Sequence, residues 1–152
     1  MEKISDLINK DRLWERHESL ANFGLIKNGG VNRQALSIED LNARKQILKW
    51  LEKTNIDSFT DDIANIFFRL EGINKNLPPV LIGSHIDSQP SGGKYDGVFG
   101  VLAGIEVIQT LSEKNIVPEV SIEVVSWMNE EGSRFVPGMM GSAVFTGARS
   151  LD

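Results

Sequence analysis

A chain of 152 residues, 41% hydrophobic and 24% charged, can bury one core of ordinary size and need not be disordered. Its net charge of −5 comes with no basic run, which argues against a nucleic-acid or anionic-membrane partner and leaves the acidic excess as a solubility feature. With no cysteine there is no disulfide, thiol nucleophile or thiolate metal site, so His, Asp and Glu are the only strong ligands.

The opening MEKISDLINK has no apolar stretch suited to a signal peptide, and no run approaches the ~20 apolar residues of a membrane span. A soluble, cytoplasmic protein is expected. The first helix is predicted from Lys10 to Asn22, with Asn9 as its cap and Gly24 just past its end. Leu13, Trp14, His17, Leu20 and Ala21 share one face at helical spacing, and His17 there reads as a packing residue. KNGGVNRQAL is a loop by its glycines and asparagines. A second helix follows from Ile38 to about Lys53, with Ser37 as its cap and Leu41, Ile47, Leu48 and Leu51 as its buried stripe.

NIFFRLEG (65–72), PPVLIGSH (78–85) and EVSIEVVSWMN (119–129) are strand candidates. Between the last two, GVFGVLAGIEVIQTLSEKN repeats Val98, Val101, Leu102, Ile105, Ile108 and Leu111 at helical spacing. A strand, a helix of this length and a second strand form a βαβ unit, so these two strands are expected to run parallel. The fold class that follows is α/β, a mixed or largely parallel sheet flanked by helices. From Gly132 onward the chain is mostly Gly, Ala, Ser and Met and gives no clear element.

The chemistry gathers at the strand ends, where α/β sheets place ligands. His85 and Asp87 close VLIGSHID, two residues apart and therefore directed the same way. The carboxylate can bind a metal or orient the ring that does. Asp96 lies in GKYDGVFG just before the helix, where it can cap the helix or aim its oxygens at the strand ends. Glu130 and Glu131 leave the next strand pointing in different directions, so one can bind metal while the other handles a proton. Each of these features is weak alone. Together at consecutive strand ends they indicate a divalent-metal site, for which Zn²⁺ or Mn²⁺ suits the oxygen and nitrogen donors.

The stretches PPVLIGSHIDSQPSGGKYDGVFGVLAGIEVIQTL and EVVSWMNEEGSRFVPGMMGSAVFTG strongly resemble the zinc-dependent amidases: N-carbamoyl-L-amino-acid hydrolases, β-ureidopropionases and allantoate amidohydrolases. These belong to the aminoacylase and carboxypeptidase-like clan of dinuclear metallohydrolases. The upstream helices fit the same family. The resemblance implies that His85 binds one ion, Glu131 the other, and Asp96 bridges them. Asp87 would support His85, and Glu130 would be the general base. It further implies two divalent ions, Zn²⁺ first and Mn²⁺, Co²⁺ or Ni²⁺ as alternatives, and a small N-carbamoyl amino acid or related ureido or amide substrate. DSQP after His85 looks closer to the carbamoyl-amino-acid branch than to the allantoate branch.

The family's full-length members are homodimers well over twice as long, with a dimerisation and lid domain and one further histidine on each ion. Here only His17 and His85 exist. The expectation is therefore that residues 1–152 form the N-terminal part of a catalytic domain, inactive alone or completed by association with a C-terminal portion. The alternatives are a non-catalytic metal-binding or interaction remnant, an allantoate amidohydrolase, or a metallopeptidase of the same clan. Gln89, Arg134 and Phe135 lie close to the motifs without an assigned role.

Overall fold

The computed structural model describes residues 3–151. After a short 3-10 turn (Ile4–Leu7), helix α1 runs over Lys10–Ala21 and is capped by Asn9, whose Oδ1 accepts the Arg12 N–H at 3.0 Å. Leu20, Ala21 and His17 are buried, whereas Trp14, predicted on the same face, is 57% exposed. Helix α2 spans Ile38–Leu51, and Ser37 Oγ accepts the Asp40 N–H at 3.2 Å. Its inner face is Asp40, Ala43, Arg44, Ile47 and Leu51. Leu41 departs from the expected stripe. It sits one position off the 40–44–47–51 repeat and is exposed.

Four strands form one mixed sheet in the order β1-β2-β4-β3: β1 (Asp57–Thr60), β2 (Ile66–Leu70), β3 (Val80–His85) and β4 (Ile122–Trp127). β1 and β4 each pair antiparallel with β2. β3 and β4 pair parallel, with His85 opposite Trp127, as the βαβ pattern requires. Helix α3 (Val98–Glu113) makes the crossover. It lies close to the sheet at Gly104, where a Cβ would stand only 2.8 Å from Val124 Cγ1.

Side chains on β2 alternate. Ile66, Phe68 and Leu70 join Ile47 and Leu51 of α2 and Leu102, Ile105 and Ile108 of α3 in the main core. Phe67 faces the other side, where it meets Phe59, Trp127 and Phe145 of the short helix α4 (Met140–Phe145). One charge is buried between the first and third helices. The Glu106 carboxylate accepts from Arg12 Nε (2.7 Å) and Nη2 (2.8 Å), the Asn9 N–H (3.0 Å) and Thr110 Oγ1 (3.0 Å). With its oxygens satisfied in this way, that carboxylate can be buried, and it fixes the start of α1 on α3.

Candidate metal and catalytic site

The parallel pair β3–β4 delivers two loops to the same end of the sheet, residues 86–92 and 128–139. Asp87 joins them. Its side chain is 1% exposed, and Oδ1 and Oδ2 accept the backbone N–H groups of Glu130 and Glu131, each at 3.2 Å. A carboxylate holding two main-chain donors is an anchor, and it sets where both glutamates begin. Ser133 Oγ adds a bond to the Ser88 carbonyl at 3.2 Å.

His85 is fixed from its other side. Its Nδ1 lies 3.0 Å from the Asp87 carbonyl oxygen and 3.6 Å from Asp87 Oδ1. A carbonyl can only accept, so Nδ1 carries a proton, and in the neutral ring Nε2 holds the lone pair. That Nε2 faces Glu130 Oε2 at 3.4 Å, and the Glu130 side chain is 35% exposed. Burial works against charge on His85, but Asp87, with help from Glu130, holds its pKa above the ordinary histidine value. Two lone-pair atoms facing each other favour a cation or a proton between them. An imidazole nitrogen and a carboxylate oxygen are donors that a divalent ion accepts, but two donors make only part of a site.

The Gly97 α-carbon packs directly on the His85 ring: a Cβ there would lie 2.3 Å from Nε2. Gly97 has φ 67°, a left-sided conformation in which glycine is favoured. Asp96 is its neighbour, exposed, and its carboxylate bonds to no described residue. The capping alternative for Asp96 does not hold, because α3 begins without a side-chain cap. Glu131 Oε2 accepts from Gln89 Nε2 at 2.8 Å.

His85, Asp87 and Glu130 are thus brought into mutual contact, with Asp96 and Glu131 on the adjoining turns. Among the described residues no three His, Asp or Glu side chains converge as a complete ion cage. His17 stays apart from this group, stacked on Phe99 and edge-on to Tyr95. One contributor gave no sequence signal. Arg33, in the loop before α2, is fully buried and donates from Nε to the Ile86 carbonyl (2.7 Å) and from Nη1 to those of Leu20 (2.8 Å) and Phe23 (2.9 Å). Its backbone also pairs with Ser88, so it braces the turn that carries Asp87. Burial lowers its pKa, opposed by the charges of Asp40 and Asp87. An arginine in a Gly/Asn-rich loop reads as solvated until the fold closes over it.

Residues 81–151, which hold His85, Asp87, Asp96, Glu130 and Glu131, match peptidase family M20/M25/M40. The N-carbamoyl-L-amino-acid amidohydrolase of Pseudomonas sp. (strain NS671) is 47% identical over 140 residues, 92% of this chain and 34% of the relative. This chain is similar to that enzyme over nearly its whole length. The enzyme of the same name from Rhizobium meliloti is 40% identical over 95% of the chain, and the allantoate amidohydrolase of Bacillus subtilis is 36% identical over 93%. The crystal structure of a hydantoinase/carbamoylase family amidase from Burkholderia ambifaria superimposes with a TM-score of 0.92 at 47% identity, covering 95% of this chain and 36% of that one. The chain spans about a third of the length of these amidohydrolase relatives. Among the described residues no helix is long and apolar enough to cross a membrane.

Proposed function

We propose that this chain supplies the N-terminal half of a metal-dependent amidohydrolase site that cleaves the carbamoyl C–N bond of N-carbamoyl amino acids. The observation that carries the reading is Nε2 of His85, its ring held by Asp87 and facing a carboxylate across 3.4 Å. The family relatives named for this reaction and the DSQP sequence after His85 favour carbamoyl amino acids over allantoate.

His85, Asp96 and Glu131 would hold the ions, zinc foremost. Bound there, divalent ions supply the positive charge that polarises the substrate carbonyl and acidifies water. Asp87 keeps the proton of His85 on Nδ1 and holds the two glutamate amides, so it is a positioning residue. Glu130, partly open to solvent and beside His85, takes the proton of the attacking water and returns it to the departing nitrogen. Water adds to the carbamoyl carbon, the C–N bond breaks, and the products are the amino acid, carbon dioxide and ammonia. Two histidines in all do not give two ions three protein ligands each, so we place the complete reaction in an assembly larger than these 152 residues.

Zinc titration of the purified chain by calorimetry, with His85→Ala alongside and hydrolysis of N-carbamoyl amino acids assayed in parallel, tests this. Weak zinc binding that disappears in His85→Ala, without turnover, is expected. Equal binding by the variant refutes the metal reading. Two tightly bound ions with turnover refute the half-site reading.

A further inference from the structure

Gln89 is the one polar side chain of the β3 loop that reaches across to the glutamate pair without being buried. Its Nε2 donates to Glu131 Oε2 at 2.8 Å and to the Glu131 carbonyl at 3.2 Å. Both partners are acceptors, so the amide's NH₂ end must face them, and both of its hydrogens are engaged. One amide thereby ties the carboxylate of Glu131 to that residue's own main chain. Asp87 Oδ2 holds the same residue by its N–H at 3.2 Å. Glu131 is therefore pinned at its nitrogen, its carbonyl and one carboxylate oxygen. The other oxygen, Oε1, bonds to no described residue.

We propose that Gln89 is a positioning residue for metal binding: it occupies Oε2 of Glu131 and so presents Oε1 as the single oxygen offered to an ion. This rests on the reading of Glu131 as a ligand. A glutamate free to turn about three side-chain bonds must be ordered each time an ion binds, and a neutral amide orders it in advance without adding charge. A carboxylate in place of Gln89 would repel Glu131, and a cation there would compete with the ion. A primary amide of this length meets all three conditions. Gln89 is exposed and stands outside the hydrophobic core.

The test uses the 152-residue chain with zinc and, separately, cobalt(II), in wild type, Gln89→Met, Gln89→Asn and Glu131→Gln. Methionine keeps the length and removes the donors, while asparagine keeps the donors one methylene short. In Gln89→Met, zinc affinity is expected to fall by about 10–100-fold. Its visible cobalt spectrum should change as Glu131 reorients, and the melting temperature of the metal-free chain should not move. Gln89→Asn should fall between Met and wild type. If Glu131→Gln weakens zinc binding while Gln89→Met stays within about twofold of wild type with an unaltered cobalt spectrum, the positioning role is refuted and the ligand assignment stands. If Glu131→Gln binds as wild type does, or wild type binds no ion, the ligand assignment falls and the positioning role falls with it.

Discussion

Gly97→Ala presses on the candidate site at the place where the backbone meets the His85 ring. A Cβ built at 97 stands 2.3 Å from Nε2 and 2.5 Å from both Cδ2 and Cε1. Non-bonded atoms of this kind rest at about 3.5 Å, so the ring must withdraw by roughly 1.2 Å. The 3.0 Å bond from Nδ1 to the Asp87 carbonyl does not survive such a shift. Its loss costs about 1 kcal/mol. The backbone at 97, with φ 67° and ψ −46°, adds strain for any L side chain, about 1–3 kcal/mol. The sum, about 2–4 kcal/mol, lowers the melting temperature of a domain this size by about 5–15 °C. Thermal unfolding followed by circular dichroism measures it, and zinc calorimetry on the same sample should show weakened binding. A variant that melts within about 2 °C of wild type and binds zinc equally well would refute the packing argument.

Other perturbations separate the roles. Asp87→Asn keeps the shape but turns an NH₂ toward one of the two glutamate amides, so urea unfolding should show a loss of about 1–3 kcal/mol; an unchanged midpoint would mean that Asp87 does not anchor the loop. In an assembled enzyme, Glu130→Ala should reduce turnover by at least about 10²-fold with metal content retained, whereas Asp96→Ala and Glu131→Ala should lower metal content measured by atomic absorption. Normal turnover in Glu130→Ala would remove it as the base. Burial lowers the His17 pKa. Above the unfolded value of about 6.5 both states are neutral; as pH falls through it the unfolded chain takes up a proton that the fold resists, so stability declines toward acid. His17→Phe should flatten that decline in urea titrations between about pH 5 and 7, and an unaltered slope would assign it to other groups.

The elements with strong periodicity were legible. The first helix and the three apolar strands fall within a few residues of their predicted limits, and the parallel pairing of β3 with β4 follows from the helix length between them. β1 escaped because DSFT is polar and exposed throughout, and its one anchor, the Phe59 ring stacked on Phe67, is a tertiary contact. α4 escaped because MGSAVF is too short to show a period. For the site, His85, Asp87 and Glu130 could be placed together from strand ends alone. The bracing by Arg33 and the tie from Gln89 to Glu131 could not, since both span dozens of residues and depend on which loops the sheet brings side by side.

β3 ends in His85 yet lies at the border of the sheet, paired with β4 alone among the described residues, with Val80 51% and Ile82 37% exposed. In a strand with one neighbour, alternate amides have no carbonyl to bond and trade hydrogen with solvent freely. The strand that delivers the imidazole is therefore a built-in reporter. Deuterium uptake along residues 80–85 would register a polypeptide joining its open side as new protection at those alternate amides. An ion captured at His85 would instead slow exchange at the end of the strand and in the Asp87 turn.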